Sequence, residues 1–215
     1  MKKAIILLSG GLDSATTLYY AKNQGYQTSC LIFDYGQRHR REIQQAIKIA
    51  KASHSDYKIV KINLPWQGSA LLDKKIALPR NRQNIPKGIP VTYVPARNII
   101  FLSFAASYAE AAGAQTIFIG ANAIDYSGYP DCRPNFYQAY QKVLNLGLKA
   151  GVEGKTIRVK TPLIRKTKAS IIRLGLRLSV PYHLTWSCYQ GGARPCGVCD
   201  SCILREKGFE EVGRR

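Results

Sequence analysis

Short apolar segments alternate along this chain with longer segments whose apolar residues recur at helical spacing, and glycine or polar residues mark the turns between them. Apolar strands separated by helices predict a parallel sheet that is covered on both faces. Right-handed crossovers make such a sheet doubly wound, so the expected fold class is α/β. The predicted strands contain, in chain order, AIILL, SCLIFDYG, YKIVKINL, TIFIGAN and TIRVKTPL.

The predicted helices lie between and after these strands, at residues 13–24, 39–53, 97–112, 135–149 and 168–178. Residues 67–95 are rich in proline, glycine and arginine and show no clear period. A loop of this length inside a compact domain favours a cover over an active site rather than a linker.

A glycine-rich turn, SGGLDS, follows the first predicted strand and opens the first predicted helix. Gly10 and Gly11 let backbone amides approach an anion, and the helix N-terminus adds partial positive charge. Ser9 and Ser14 supply hydroxyl donors for phosphate oxygens. Asp13 cannot bind phosphate directly, so it either holds Mg²⁺ or caps the helix. The alternative is a plain glycine turn in which Asp13 is the N-cap of the helix.

Two other phosphate-binding patterns are disfavoured. GVEGKT at residues 151–156 resembles the end of a P-loop, but Lys149 stands where glycine is required and a predicted strand follows it. No G-x-G-x-x-G follows a predicted strand, which disfavours a dinucleotide-binding fold.

The C-terminal segment carries four cysteines with C-x₇-C-x₂-C-x₂-C spacing: Cys188, Cys196, Cys199 and Cys202. Four thiolates close a tetrahedral zinc site, so the expected Zn²⁺ is structural. A redox pair, free buried thiols or an iron–sulfur cluster are the alternatives. Cys30, in the second predicted strand, is expected in the core.

The net charge is +19, and no acidic residue occurs from Lys155 to Cys199. Such a surface attracts nucleic acid, but it also attracts small anions such as nucleotides and carboxylates. The charge therefore leaves nucleic acid open as a partner without making it the expected one.

SGGLDS in its strand–turn–helix setting resembles the PP-loop of the ATP pyrophosphatase superfamily. That resemblance implies attack of a substrate oxygen on the α-phosphate of ATP, with the loop binding the departing pyrophosphate. FDYGQRH, VPARN, GANAIDYSGYPDCRP, KTPL and the cysteine tail then resemble the 7-cyano-7-deazaguanine synthase family, from about Lys3 to Cys202. This implies conversion of 7-carboxy-7-deazaguanine and ammonia to the nitrile, in queuosine biosynthesis, by a homodimer with one structural Zn²⁺ per subunit.

The motifs and their places after the predicted strands give three sets of site residues besides the cysteines. The expected ATP contacts are Leu8, Ser9, Gly10, Gly11, Leu12, Asp13, Ser14, Ala15, Thr16, Thr17, Leu18, Phe33 and Arg97. The expected catalytic residues are Asp13, Lys160 and Lys166. The expected substrate contacts are Asn122, Asp125, Asp131 and Arg133, while Cys132 is expected to be an inert thiol rather than a nucleophile.

Two domains are expected: a PP-loop α/β domain at residues 1–184 and a zinc-binding tail at residues 185–215 packed on it. The apolar run at the N-terminus is too short for a secretion signal or a membrane span, so a cytoplasmic enzyme is expected. The rival functions are a tRNA-modifying PP-loop enzyme, a relative that attaches the deazaguanine to protein, and a non-catalytic zinc module that binds nucleic acid.

Overall fold

A single sheet of five parallel strands forms the centre of the computed structural model, which describes residues 2–81, 88–123 and 128–213. The strands are β1 (Lys2–Leu7), β2 (Tyr26–Asp34), β3 (Asp56–Lys61), β4 (Thr116–Ile119) and β5 (Arg158–Lys160). Their order across the sheet is β3-β2-β1-β4-β5. The predicted doubly wound α/β fold is therefore confirmed.

The helices connect the strands and cover the sheet. They are α1 (Leu12–Asn23), α2 (Arg41–Ala52), α3 (Arg97–Ala112), α4 (Pro134–Gly147), α5 (Lys149–Val152), α6 (Lys168–Arg177) and α7 (Asp200–Glu210). The five predicted helices correspond to α1, α2, α3, α4 and α6. The short α5 and the C-terminal α7 were not predicted.

Side chains of β1 alternate between two apolar cores, as the two-residue period of a strand requires. Ile5 and Leu7 belong to one core with residues of α3 and α4. Ala4 and Ile6 belong to the other core with residues of α1, α2 and α6. The central strand is buried on both faces, which explains why AIILL is a continuous apolar run.

The order of the strands places a topological switch point between β1 and β4. From β1 the chain builds outward through β2 and β3, then crosses to the other side of β1 to form β4 and β5. The loops that leave β1 and β4 therefore separate at the carboxyl edge of the sheet and leave a crevice, the usual ligand position in this fold class.

Some predicted bounds differ from the structure. The predicted fifth strand ran over residues 156–163, whereas β5 pairs with β4 only from Arg158 to Lys160. Pro162 has no amide hydrogen for a ladder, so the strand ends before it. Among the helices of the described ranges, none combines the length and the apolar character that a bilayer span requires.

Candidate active site

The glycine turn lies between the end of β1 and the first turn of α1, and α2 packs closely against it. Gly10 adopts a φ of 86°, and a Cβ atom there would lie 2.3 Å from the carbonyl oxygen of Glu42. Glycine is therefore required both by the backbone conformation and by the approach of α2. The N-terminus of α1 has no side-chain cap, so no capping side chain occupies its first amides, and they can donate to an anion.

Hydroxyl groups order the turn internally. The hydroxyl of Ser14 lies 3.0 Å from that of Ser9 and donates to the carbonyl of Gly11 at 3.0 Å. The amide of Ser9 donates to the Ser14 hydroxyl at 3.2 Å. These bonds fix the conformation of the turn through contacts within the turn itself.

Asp13 projects from the first turn of α1 and pairs with Lys168 at the start of α6. The ammonium nitrogen of Lys168 lies 2.9 Å from Oδ1 and 2.8 Å from Oδ2 of Asp13. The N-cap residue of α1 is Gly11 and no side chain caps the helix, so the structure does not support the helix-capping alternative for Asp13.

A cavity of about 320 Å³ lies beyond the carboxyl ends of β1, β2 and β4. It is bounded by the glycine turn, by the first turns of α2 and α3, and by the C-terminal segment. Of the predicted site residues, those that line it are Leu8, Ser9, Gly11, Leu12, Asp13, Ser14, Phe33, Arg97 and Asn122.

Four predicted ATP contacts farther along α1 do not line this cavity. Ala15 and Leu18 are fully buried in the core between α1 and the sheet. Thr16 lies 2.8 Å from the hydroxyl of Tyr182, and Thr17 donates to the carbonyl of Asp13. The predicted ATP contacts ran continuously along the sequence from Leu8 to Leu18. In the structure this segment is helical from Leu12, and the helix directs these four side chains toward the protein interior.

Neither lysine predicted to be catalytic lines the cavity. The Lys160 ammonium donates to the Tyr26 hydroxyl at 2.9 Å and lies over the ring of Phe118. Lys166 contributes its backbone carbonyl, which accepts from the Asn122 side chain. The cation beside Asp13 is instead Lys168, two residues beyond Lys166. The sequence placed Lys160 and Lys166 near the end of a predicted strand. It could not show which lysine faces the cavity, because that depends on the turn before α6.

The predicted substrate residues separate in the same way. The carboxylate of Asp131 accepts from the amide of Asn98 at 3.0 Å, so it caps α3 and does not face the cavity. Arg133 is exposed at the start of α4 and also lies outside the cavity lining. Asp125 lies outside the described residues.

Arg97 is the centre of a polar group inside the cavity. Its guanidinium donates to the Tyr35 hydroxyl at 3.4 Å and lies 5.9 Å from the ring centre of Tyr129. Glu42, from the first turn of α2, lines the same cavity, and burial raises the pKa of its carboxyl to about 7 although the charge on Arg97 opposes this.

Cys132 also lines the cavity and accepts from the Asn98 amide group at 3.2 Å. Burial raises the pKa of its thiol to about 11, so at neutral pH the sulfur is protonated and is a poor nucleophile. This supports the expectation of an inert thiol.

Several cavity residues escaped the sequence analysis: Arg38, Glu42, Lys168, Trp186 and Arg205. Arg38 and Arg205 donate to backbone carbonyls and hydroxyls of the surrounding loops, so they hold the walls. Glu42 lies three residues after the end of FDYGQRH, and Lys168 lies five residues after the end of KTPL. Their closeness in sequence to these two motifs was the one signal that could have identified Glu42 and Lys168 as site residues.

The four cysteines of the tail converge as predicted. Their sulfur atoms all lie within 4.8 Å of one another, and three of the four residues are buried. Sulfurs around a tetrahedral metal with bonds of about 2.3 Å would be about 3.8 Å apart, so a small contraction would close the site. Amides of Gln190 and Cys196 approach the sulfur of Cys188 at 3.4 and 3.3 Å, as is favourable for a thiolate. The donor set fits a metal ion.

The cysteine cluster is joined directly to the glycine turn. The backbone amide of Trp186 donates to the carbonyl of Gly10 at 2.9 Å. Two residues later, the carbonyl of Cys188 lies 3.0 Å from Nε2 of His39 and accepts from the indole of Trp186 at 2.8 Å. The segment that carries the four cysteines thus forms one wall of the cavity.

Two solved structures that are similar to this fold belong to other enzymes. An NMN synthetase from Francisella tularensis superposes with a TM-score of 0.54 at 16% identity, covering 100% of this chain and 78% of its own. A U34-tRNA thiolase from Methanococcus maripaludis gives a TM-score of 0.51 at 18% identity, covering 98% and 66%. At these identities the comparison concerns the fold alone.

Sequence relatives are much more similar. Proteins named 7-cyano-7-deazaguanine synthase are 56% identical in Thermoplasma acidophilum, over 99% of this chain and 89% of the relative, and 55% identical in Acetivibrio thermocellus, over 99% and 95%. One from Nostoc punctiforme is 54% identical over 98% and 96%. The profile described as "Queuosine biosynthesis protein QueC" matches residues 3–213. With the PP-loop cavity and the four-cysteine cluster in place, the chain belongs to the QueC family.

Proposed function

We propose that the protein is an ATP-dependent ligase that converts 7-carboxy-7-deazaguanine and ammonia to 7-cyano-7-deazaguanine. The observation that carries this proposal is the identity of 54–56% with synthases of that name over nearly the whole chain. The PP-loop cavity supports it, because a carboxylate becomes reactive toward ammonia only after its oxygen is given a good leaving group.

ATP is proposed to bind with its phosphates at the glycine turn. The first-turn amides of α1 supply donors, and Lys168 supplies a positive charge next to them. Asp13 is proposed to hold Mg²⁺ when ATP is bound, which would release Lys168 to the phosphates. Preformed donors of this kind stabilise charge that develops as pyrophosphate departs.

Arg97 is proposed to bind the carboxylate of the substrate, in place of the exposed Arg133. It lines the cavity, and the one hydrogen bond that its guanidinium makes within the described residues is the 3.4 Å contact to Tyr35. Arg38 and Arg205, the other arginines of the cavity wall, are already bonded to the surrounding loops. A guanidinium matches a carboxylate with two parallel hydrogen bonds.

The four cysteines are proposed to hold one structural Zn²⁺. Zinc with four protein ligands has no open position, so it contributes stability and shape rather than chemistry. The tRNA thiolase with a related fold carries a [4Fe-4S] cluster, so metal analysis of the purified protein is the test between the two. Because thiols that bind metal must stay reduced, a cytoplasmic location is proposed.

A homodimer is proposed because large apolar side chains are exposed on the outer side of α4 and α5. Val143 is 58% exposed, Leu146 81% and Val152 77%. Exposed apolar groups that lie close together favour an interface between copies.

The tRNA-modifying alternative is not favoured, since the relatives at 50–56% identity are named 7-cyano-7-deazaguanine synthases.

The test is incubation of purified protein with ATP, Mg²⁺, ammonia and 7-carboxy-7-deazaguanine, with products measured by mass spectrometry. The expected products are the nitrile, AMP and pyrophosphate. Formation of ADP and phosphate, or conversion of a tRNA but not of the free base, would contradict the proposal.

A further inference from the structure

Glu42 is a carboxylate in the cavity that the adenylation chemistry does not use. Two acidic residues of the described ranges line the cavity, Asp13 and Glu42. Asp13 is held by Lys168, whereas Glu42 makes no hydrogen bond or ion pair within the described part of the chain. Its backbone is fixed by the packing of α2 against Gly10, so the side chain starts from a defined point beside the PP-loop.

The proposed reaction needs a proton acceptor there, because all three hydrogens of ammonia must leave as protons before a nitrile forms. Ammonia attacks the carbonyl carbon of the acyl-adenylate, and the new C–N bond leaves a positive charge on nitrogen. One N–H proton must depart as the C–O bond breaks and AMP leaves with the bonding electrons. The product of this half is the amide.

The second half removes the other two protons. The amide oxygen attacks the α-phosphate of a second ATP, pyrophosphate departs, and the nitrogen loses a proton to give an adenylated imidate. Loss of the last N–H proton supplies electrons for the C≡N bond while AMP leaves. A base within reach of the nitrogen accelerates such transfers by about 10² to 10⁴.

We propose that Glu42 is this proton acceptor in both halves of the reaction, an inference that rests on the proposed function. Three observations support it: Glu42 lines the cavity, its side chain makes no hydrogen bond or ion pair within the described residues, and its charge interacts with that of Arg97, where the substrate carboxylate is proposed to bind. The charged and titratable groups facing it are Arg97 at the start of α3 and Tyr35 after β2. A pKa raised to about 7 suits a base that must also release its proton.

His39 also lines the cavity but is less suited to this role. Its Nε2 is bonded to the carbonyl of Cys188, so the imidazole belongs to the attachment of the cysteine segment. The same carbonyl accepts from the indole of Trp186. The rings of His39 and Trp186 are therefore both held by the backbone of Cys188.

The test separates activation from proton transfer with Glu42→Gln and with Glu206→Gln as the control on an exposed carboxylate of α7. Substrate-dependent exchange of pyrophosphate into ATP needs no base, so it should stay within about threefold of the wild type in both variants. Formation of amide from the carboxylate, and of nitrile from supplied amide, should each fall by about 10² to 10⁴ in Glu42→Gln alone.

A second measurement needs no variant. With the amide as substrate, ammonia is absent, so its own titration cannot shape the pH profile. The carboxylate form of Glu42 predominates above its pKa, so kcat of the wild type should rise with pH through about 7, and Glu42→Gln should lack this limb. Glu42→Asp should restore part of the rate.

Three outcomes would overturn the assignment: loss of exchange in parallel with amide formation, a rise in KM with unchanged kcat, or no effect on either half. Failure of the proposed function is distinct, because the wild type itself would then show no substrate-dependent exchange and no nitrile.

Discussion

The ion pair of Asp13 and Lys168 joins the first turns of α1 and α6, although the two residues are 155 positions apart. Their side chains are 27% and 17% exposed, so the pair is partly shielded from water at the edge of the cavity. An ammonium held there adds positive charge next to the amides of α1. The arrangement suits a site that must receive the phosphates of ATP.

Lys168→Met should therefore lower kcat/KM by about 100-fold, or about 2.7 kcal/mol of transition-state stabilisation, while keeping the aliphatic stem of the side chain. Lys166→Met is the matched control, because Lys166 contacts Asn122 through its backbone and should lose less than about threefold. Steady-state kinetics with the carboxylate substrate measure both. Equal losses in the two variants would remove Lys168 from the site.

Asp13→Asn should reduce turnover by about 100-fold or more and leave the fold intact, because Asp13 lies at the cavity and not in either core. Circular dichroism and the melting temperature check the fold. Activity retained within about tenfold would argue against a role in holding Mg²⁺.

At the scale of elements, the end of β4 is packed tightly against the start of α1. A Cβ atom at Gly120 would lie 2.9 Å from the backbone carbon and oxygen of Asp13 and from the amide of Ser14. Backbone atoms cannot move aside as a flexible side chain can. Glycine at this position thus fixes how closely the PP-loop helix approaches the switch point of the sheet.

Gly120→Ala is expected to displace the first turn of α1 and weaken ATP binding by about tenfold, which corresponds to about 1.4 kcal/mol. Gly147→Ala in α4 is the control, since nothing lies within 4 Å of a Cβ atom there, and alanine should stabilise a helix by about 0.5–1 kcal/mol. Isothermal titration with ATP and thermal unfolding distinguish the two. Unchanged affinity in Gly120→Ala would mean that the loop adapts to a larger residue.

The cysteine segment also contacts the PP-loop, because the backbone amide of Trp186 donates to the carbonyl of Gly10. Loss of the metal should therefore affect nucleotide binding as well as stability. In Cys199→Ser we expect lower metal content, a melting temperature reduced by about 10 °C for a loss of about 3 kcal/mol, and weaker ATP binding.

Cys30→Ser provides the comparison, because Cys30 is fully buried in β2 and distant from the cluster in the fold. It should lower the melting temperature while the metal content stays at the wild-type level. If Cys199→Ser loses metal yet binds ATP as the wild type does, the two sites are not coupled. Absence of zinc from the wild type would show that the metal was assigned wrongly.

For the whole molecule, we expect the PP-loop cavity to serve two activations, because neither oxygen of a carboxylate leaves unaided near neutral pH. Each activation presents an oxygen nucleophile to an α-phosphate. We therefore expect two ATP consumed and two AMP formed per nitrile, and one ATP per nitrile when the amide is supplied. Coupled measurement of AMP and nitrile tests the ratio, and an amide that is never converted would contradict the mechanism.

Association of two chains is the second property at this scale. Leu146→Glu places a charge on the exposed apolar surface of α4 and should convert the expected dimer to a monomer in sedimentation analysis. Lys142→Gln alters an exposed position on the same helix but leaves the exposed apolar side chains unchanged, so this variant should remain dimeric. A wild type that is monomeric at micromolar concentration would refute the proposal.

Much of the architecture was predictable because its signals are local. Alternating apolar and helical segments indicated the parallel sheet, and SGGLDS indicated an anion-binding turn after β1. The spacing of the four cysteines indicated a cluster that the structure then brought together. In contrast, α7 was not predicted, because the tail that contains the cysteines was interpreted only as a metal-binding segment. The division into domains at residue 185 stays a prediction.

The side chains that surround the cavity depended on contacts between distant parts of the chain. Lys160 and Lys166 were equally plausible from their place near a strand end, and the turn into α6 brought Lys168 to Asp13 instead. Asp131 looked like a substrate ligand until α3 placed its own N-terminus against that carboxylate. Periodicity and spacing report which residues share a strand, a turn or a helix face, since these depend on neighbours in sequence. Which charge meets which depends on how separate elements pack, and that is decided only when burial of the two cores brings them together.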